Sequence, residues 1–265
     1  MTGEAERQSS GRRDQAGPKI AVIDVWKSFD GKPVLRGVNL EVAPRESFVI
    51  VGGSGAGKSV LLKHLIGLIS PDSGHVVVDG EDLTNSPAER CLEIRRKFGM
   101  SFQEGALFDS LDVFENIAFP LRRHTTMHED QIAARVEECL RLVHLVGIGA
   151  KAVSELSGGM RRRVGFARAI SLQPEILLFD EPDTGLDPMT AAVIDNVIVE
   201  MRRDLGVTMV TITHDMKSAF LIADRMAMLR GGQIVAVADP ETFRRLPDPY
   251  IQKFLAGEPL EEEVA

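Results

Sequence analysis

The sequence is poor in cysteine and contains no long apolar run. The first absence argues against a disulfide-stabilised protein, and the second against a membrane-spanning one. Only two cysteines occur among 265 residues, and no C-x-x-C spacing is present. We interpret Cys91 and Cys139 as reduced thiols of a cytosolic protein and expect no structural disulfide. No run approaches the roughly 18 apolar residues that cross a bilayer, so we expect any place at a membrane to depend on a partner.

An excess of positive charge is also missing. The formal net charge is -8, which argues against a general nucleic-acid-binding protein, because such proteins present a basic face. A content of 44% hydrophobic and 26% charged residues is typical of a globular protein. The length suits one large domain or a domain with an inserted lobe.

Both ends of the chain are polar. Residues 1–18 are Gly-rich, of mixed charge and without an apolar core, so they predict a disordered leader and not a signal peptide. Residues 247–265 form a predicted C-terminal extension, with a short amphipathic piece from Tyr250 to Leu255 and an acidic tail from Gly257. The folded domain is therefore expected over 19–246.

One stretch builds a receptacle for phosphate. The apolar strand Phe48 to Val51 leads into a loop of very small residues, and an apolar helix follows. This arrangement points backbone N–H groups and the positive end of a helix at an anion. Lys58 adds a charge for the outer phosphates, and Ser59 adds a hydroxyl for Mg²⁺. The residues expected to bind the nucleotide here are Gly52, Gly53, Ser54, Gly55, Ala56, Gly57, Lys58, Ser59 and Val60.

Two alternating apolar segments before this loop predict antiparallel strands, one from Ile20 and one ending at Val42. Phe29 lies in the turn between them. Its ring is placed to stack on a purine, and a core residue of the hairpin is the alternative.

The segment from about Pro87 to Met160 is predicted to be an inserted helical lobe. Within it, a short strand ends at Gln103, whose amide is a candidate to contact a metal ion or an attacking water. A glutamine at the end of a strand carries little weight alone. His124 and His128 are four residues apart, but no third ligand is near, so we interpret them as part of a solvated connector.

A second phosphate-accepting segment is LSGGM, which precedes a helix. Ser157, Gly158 and Gly159 would offer free N–H groups at the positive end of that helix. A simple helix cap is the alternative.

Two further buried strands end in chemically active side chains. The run Ile176 to Phe179 ends at Asp180 and Glu181, on the edge of the sheet where the phosphate loop opens. Asp180 is then placed to hold Mg²⁺, and Glu181 to polarise a water for attack on a γ-phosphate. A later apolar strand ends at His214, a candidate to hydrogen-bond that phosphate or water.

In this order the motifs resemble those of ATP-binding cassette (ABC) ATPases, over about Ile20 to Ala238. The motifs are GGSGAGKS, Gln103, LSGGM, ILLFDEP, the GLD of Gly185 to Asp187, and His214. The resemblance implies an α/β fold, with a P-loop NTPase core, an antiparallel β subdomain and an inserted α-helical subdomain. It also implies an ATPase that uses ATP and Mg²⁺ as a homodimer closed over two ATP molecules.

The same resemblance assigns roles to individual residues. Ser157, Gly158 and Gly159 would face the γ-phosphate held by the partner's P-loop, and Asp187 would lie in the loop that crosses between protomers. Phe29 would stack on adenine. The implied catalytic residues are Glu181 as general base, His214 as switch residue, Lys58 and Gln103, and the implied metal ligands are Ser59, Gln103 and Asp180. Two places depart from the usual pattern, because Phe29 is more often tyrosine and Met160 is often glutamine.

A narrower resemblance, to the ATPases of Mce- or Mla-type lipid transporters, rests on Gly99 to Leu121, LSGGMRRR and DPYIQKFLAG. It implies an integral-membrane permease docking near Gln103 to Phe108, and a peripheral location on the cytoplasmic face of the inner membrane. A small regulatory protein and a periplasmic lipid-binding Mce protein are further implied partners. Phe102, Ala106, Leu107 and Phe108 are candidate lining of the docking groove, and plain core of the helical lobe is the alternative.

Three other functions stay open at this point. An ABC importer or exporter ATPase for another substrate differs only in the docking segment and the C-terminal end. A soluble ABC protein acting on DNA or ribosomes usually has long coiled coils or two cassettes, which this acidic sequence lacks. A P-loop kinase or GTPase leaves LSGGM unexplained and would need an N-K-x-D motif.

Overall fold

A computed structural model describes residues 17–103 and 105–258. Nearly all of the predicted leader and most of the predicted acidic tail lie outside these residues. The described part contains two β-sheets with helices packed around them. The α/β prediction is therefore confirmed.

A six-stranded sheet forms the centre of the fold. Its strands are β3 (Ser47–Val51), β6 (Phe98–Ser101), β7 (Ile176–Asp180), β8 (Thr208–Ile212), β9 (Arg225–Arg230) and β10 (Gln233–Ala238). They are arranged in the order β10-β9-β3-β8-β7-β6. All neighbours are parallel except β10, which runs antiparallel to β9.

The parallel arrangement explains the apolar runs that identified these strands. Both faces of the sheet are covered, so every residue of β3 and β8 is buried. Because the strands are parallel, the segments after β3, β6, β7 and β8 leave from one edge of the sheet. The predicted P-loop, Gln103, Glu181 and His214 follow these four strands, and the fold therefore gathers them along that edge.

A second sheet is wholly antiparallel, as predicted. It contains β1 (Ile20–Phe29), β2 (Lys32–Val42), β4 (Ser73–Val78) and β5 (Glu81–Asp82) in the order β2-β1-β4-β5. One apolar cluster joins this sheet to the central one and includes Val38, Phe48 and Leu61. A backbone hydrogen bond from Arg36 N–H to the Gly232 carbonyl, 2.8 Å, ties β2 to the turn after β9.

Helices complete the fold in the order of the chain. They are α1 (Lys58–Leu65), α2 (Ala88–Arg95), α3 (Val113–His124), α4 (Glu129–Leu142), α5 (Gly158–Ile170), α6 (Pro188–Leu205), α7 (Met216–Ile222), α8 (Pro240–Arg244) and α9 (Pro249–Ala256). Aspartate or serine side chains cap several N-termini by accepting backbone N–H bonds. Within the described ranges, no helix combines the length and apolar character that crossing a bilayer requires.

The predicted start of the helical lobe at Pro87 is wrong. Strand β6 lies inside the predicted range, yet it pairs with β7 in the central sheet, so that part of the range belongs to the core. The lobe is built instead from α3 and α4, which pack against each other and against α5. His124 ends α3 and His128 directly precedes α4, which confirms their interpretation as a connector.

The backbone of β6 lies against α5, and this contact yields a stability prediction. A Cβ added at Gly99 would lie 2.2 Å from the Ala169 carbonyl oxygen, closer than atoms pack. Gly99→Ala must push strand and helix apart, so we expect the free energy of unfolding to fall by about 1–3 kcal/mol. Urea unfolding followed by circular dichroism measures this. Gly17→Ala is the control, since a Cβ there meets no atom within 4 Å, and equal midpoints for the two variants would contradict the prediction.

Candidate active site

The P-loop joins β3 to α1, as predicted, and two of its glycines are required by their neighbours. A Cβ on Gly52 would lie 2.2 Å from the Leu229 carbonyl oxygen of β9. Gly57 has φ +102°, and a Cβ there would lie 3.1 Å from the Val34 carbonyl oxygen of β2. Strands of both sheets therefore close on the loop, and only glycine permits that approach.

Lys58 places a buried positive charge beneath this loop. The side chain is only 6% exposed, and its Nζ donates hydrogen bonds to the carbonyls of Gly52 at 2.8 Å and Gly53 at 3.0 Å. The Glu181 Oε1 atom lies 3.8 Å from the same Nζ. A buried ammonium is tolerated when such groups compensate its charge, so the Lys58 side chain is held ready for an anion at the loop.

Ser59 and Asp180 meet next to the lysine. The Ser59 hydroxyl donates to Asp180 Oδ1 at 3.0 Å, which connects the start of α1 with the end of β7. Burial raises the pKa of Asp180, and the Ser59 hydrogen bond opposes this shift. A hydroxyl and a carboxylate are the hard oxygen donors that Mg²⁺ prefers, and a cation would relieve the burial of this charge. The two side chains therefore fit a magnesium ion.

Glu181 is oriented by three contacts. Its Oε2 atom accepts a hydrogen bond from the Thr184 hydroxyl at 3.0 Å, and His214 Nδ1 lies 3.5 Å from the same oxygen. Its backbone N–H donates to the Ile212 carbonyl at 2.9 Å. The backbone adopts φ +48°, a left-handed conformation that costs roughly 1–2 kcal/mol for a residue with a side chain. The carboxylate therefore leaves the end of β7 at a sharp angle, toward Lys58 and His214.

Arg162 was not predicted as part of the site, although it holds the loop that carries Glu181. This residue of α5 is buried, and its Nη1 donates to the carbonyls of Glu181 at 3.0 Å and Pro182 at 2.6 Å, while Nη2 donates to that of Thr184. The helical spacing of Arg162 four residues before the buried Phe166 placed it on the inner face, a signal hidden by the run of three arginines.

Asp183 and Thr213 were also missed. Both are buried, and the Thr213 hydroxyl lies 3.1 Å from each carboxylate oxygen of Asp183. The Asp215 N–H donates in turn to the Thr213 hydroxyl oxygen at 2.9 Å. The loop after β7 is thus joined to the loop after β8 at Thr213, and the bond from Asp215 to Thr213 closes a turn around His214.

The LSGGM turn packs against the start of α6. Ser157 caps α5 by accepting a bond from Met160 N–H at 3.3 Å, and Asp187 caps α6 by accepting bonds at 3.1 Å from the N–H groups of Met189 and Thr190. A Cβ on Gly159 would lie 2.4 Å from Thr190 Cγ2. The predicted signature turn and the predicted crossing loop therefore form one unit.

Phe29 and Gln103 stand at the surface. Phe29 is the last residue of β1, pairs with Lys32 and is 42% exposed, so it is not a core residue of the hairpin. Lys32 is only two residues from Val34, which approaches Gly57 of the P-loop. Gln103 is exposed just after β6. Both are on the side of the molecule where the P-loop opens.

The predicted docking residues divide into two groups. Phe102, Ala106 and Phe108 are exposed, whereas Leu107 is half-buried against the main apolar core. The fully buried Asn116 of α3 holds this loop, since its Oδ1 accepts from Phe108 N–H at 2.8 Å and its Nδ2 donates to the Phe108 carbonyl at 3.1 Å. Exposed aromatic rings are thus presented on an ordered loop, and Leu107 fits the alternative of lobe core.

Comparison with known proteins assigns this architecture to a family. The family model described as "ABC transporter" matches residues 35–184. A protein of Mycobacterium tuberculosis named probable ribonucleotide transport ATP-binding protein mkl is 40% identical over 256 residues, covering 97% of this chain and 71% of that protein. The intermembrane phospholipid transport system ATP-binding protein MlaF of Escherichia coli is 39% identical over 238 residues, covering 90% of this chain and 88% of MlaF.

Solved structures are similar over nearly the same length. The structure of cbiO1 from Clostridium perfringens, part of the ABC transporter complex cbiONQ, has a TM-score of 0.80 at 28% identity and covers 90% of this chain and 95% of that one. The ATP-binding cassette MJ0796, in a dimeric post-hydrolysis state bound to ADP and Pi, has a TM-score of 0.75 at 28% identity, with 83% and 98% covered. The chain described above therefore belongs to the ABC transporter family and is the ATP-hydrolysing subunit of such a transporter.

Proposed function

We propose that this chain powers a lipid transporter of the Mce or Mla type. Its role in ATP hydrolysis is supported by one observation: Lys58 and His214 both lie close to the Glu181 carboxylate at the P-loop edge. Similarity to MlaF over 88% of its length supports a lipid as the transported substrate.

In this proposal each residue at the P-loop edge of the central sheet has its own role in phosphoryl transfer. Lys58 binds the outer phosphates of ATP, and Phe29 stacks on the adenine. Ser59, Asp180 and Gln103 would hold Mg²⁺, which would neutralise phosphate charge when bound. Glu181 accepts a proton from the attacking water, and His214 holds the water or the γ-phosphate in position. Catalysis then consists mainly of positioning and charge stabilisation.

We further propose a homodimer that closes over two ATP molecules. Ser157, Gly158 and Gly159 of one copy would bind the γ-phosphate in the P-loop of the other, and Asp187 would lie at the crossing between copies. The free N–H groups at the start of α5 are suited to that task. Dimeric solved structures of the similar cassette MJ0796 support this arrangement.

The permease is proposed to dock on the exposed loop near Gln103 to Phe108. The ring of Phe108 lies 5.1 Å from that of Phe119, so two exposed aromatic rings form one apolar surface, and Phe102 is a third exposed ring earlier in the same segment. We place the protein, through this partner, at the cytoplasmic face of the inner membrane. A small regulatory protein and a periplasmic lipid-binding Mce protein are the further partners of this proposal.

A ribonucleotide is a second candidate substrate, because the similar mycobacterial protein is named for ribonucleotide transport. The two candidates are distinguished by reconstituting the transporter with its permease in vesicles and following the movement of a labelled phospholipid and of a labelled pyrimidine ribonucleotide during ATP hydrolysis. The proposal expects ATP-dependent movement of the phospholipid, and movement of the ribonucleotide alone would overturn it.

The base assignment predicts the behaviour of Glu181→Gln. The amide cannot accept a proton from water, so steady-state ATP hydrolysis is expected to fall at least 100-fold, while ATP binding is retained. Phosphate release and binding of a fluorescent ATP analogue measure the two effects. Glu41→Gln, at an exposed position of β2, is the matched control. Activity of Glu181→Gln near that of the control would exclude Glu181 as the base.

The contacts of Arg162 predict a second effect on catalysis. Arg162→Gln removes a guanidinium that donates to three carbonyls of the Glu181 loop, so we expect the kcat for ATP to fall about 10- to 100-fold with little change in KM. Arg203→Gln is the control, because Arg203 is exposed and pairs with the adjacent Asp204. A raised KM with normal kcat would show that Arg162 serves binding and not the position of the base.

The docking surface is tested with a charge at an exposed position. Phe102→Asp is expected to abolish copurification of the permease from membranes while ATP binding stays normal, because a carboxylate would be buried in an apolar contact. A charge at Leu107 is less informative, since that side chain packs into the core. Val146→Asp, at another exposed apolar position of the lobe, is the control, and an intact complex with Phe102→Asp would refute the docking site.

A further inference from the structure

A buried carboxyl group between α6 and α7 has no role in the chemistry described so far. Asp195 of α6 is 5% exposed, and its Oδ2 accepts a hydrogen bond from the Ser218 hydroxyl of α7 at 2.7 Å. Across the described part of the chain, its other oxygen, Oδ1, has no hydrogen-bond partner. Burying a carboxyl with one unsatisfied oxygen is costly, so its presence needs a physical reason.

The two helices that this bond joins both begin at the proposed site. Helix α6 starts at its cap Asp187, beside the signature turn, and α7 starts at its cap Asp215, directly after His214. Asp215 Oδ1 accepts bonds from the N–H groups of Lys217 at 2.7 Å and Ser218 at 3.2 Å. Ser218 is therefore held twice, by its backbone to the cap of α7 and by its hydroxyl to α6.

The charges around Asp195 are of the same sign. Asp183, from the loop after β7, and Asp215, from α7, both disfavour its ionised form, and burial has the largest effect. Together these raise the pKa of Asp195 to about 6, although the Ser218 hydrogen bond opposes the shift. Asp183 in turn binds Thr213, the residue before His214. The carboxyl thus belongs to the network that surrounds the switch histidine.

We propose that Asp195 is a positioning residue for His214, acting through the Ser218 hydroxyl to fix the first turn of α7 against α6. The imidazole of His214 then keeps its place 3.5 Å from Glu181. This inference rests on the proposed role of His214 in ATP hydrolysis. It adds a connection, from the start of α6 at the signature turn to the switch residue, that lies outside the nucleotide site.

The kinetic experiment uses the full chain and the variants Ser218→Ala and Asp195→Asn, with the exposed Asp130→Asn as control. Ser218→Ala removes the donor, so kcat is expected to fall about 5- to 50-fold while KM for ATP changes less than about twofold. Asp195→Asn keeps an acceptor oxygen but loses the charge that strengthens the bond above pH 6. The ratio of wild-type to Asp195→Asn kcat should therefore be several-fold at pH 8 and approach one near pH 5.

A direct readout of His214 separates positioning from stability. In protein labelled at its six histidines, the His214 ring resonances are assigned with His214→Gln. Ser218→Ala should shift those resonances, while the five other histidines and the control variant stay unchanged. Thermal unfolding shows whether each variant is folded, and Asp195→Asn, which removes a buried charge, should be at least as stable as wild type at pH 8.

The outcomes distinguish the possible failures. Unshifted His214 resonances in both folded variants, or a kcat ratio independent of pH, would overturn the positioning role. If Glu181→Gln kept its activity, the proposed function would fail, yet the resonance shift would still decide whether Asp195 positions His214.

Discussion

The buried ammonium of Lys58 is the charge on which the arrangement of the site depends. Its own loop supplies two carbonyl oxygens, but the compensating carboxylate, Glu181, comes from β7, more than a hundred residues later. An unpaired charge in a protein interior is expensive, so the order of strands must place the end of β7 close to the P-loop. The parallel sheet achieves this with β8 between β3 and β7, and the loop after β8 brings His214 to the same carboxylate.

Contacts within one chain connect the two regions, the P-loop edge and the signature turn, that it would contribute to the proposed closed dimer. Arg162, on the helix that starts with the signature turn, binds the backbone of the loop that carries Glu181. Gly159 of that turn packs on Thr190 at the start of α6, and α6 reaches α7 through Asp195 and Ser218. In the proposed dimer, a displacement of the signature turn by a nucleotide on the partner would therefore act on both Glu181, the proposed base, and His214 of the same chain. These contacts would provide a physical route between the two proposed ATP sites.

Much of this architecture is predictable from local patterns, and the exceptions have physical reasons. Strands β3, β7 and β8 are mostly apolar because both faces of the sheet are covered, so their ends, and with them Asp180, Glu181 and His214, follow from the sequence. Strand β6 has only four residues and follows a helix, so its sequence does not separate it from the helical segment around it. The predicted start of the lobe at Pro87 is wrong for this reason. Arg162, Asp183 and Asp195 were missed because their importance lies in contacts with residues distant in sequence. Helical spacing indicates that Arg162 faces inward, but no local period identifies the partners of these three residues.

The claim that each site is shared between two copies is tested most directly by mixing two inactive chains. Lys58→Ala removes the P-loop charge, and Ser157→Arg blocks the signature turn, so neither variant alone should hydrolyse ATP. A mixed dimer contains one site built from the intact P-loop of one chain and the intact signature turn of the other. ATP hydrolysis by the mixture, rising to a maximum near equal amounts, is the predicted result. A mixture as inactive as its components, although mixed dimers form, would contradict the shared site.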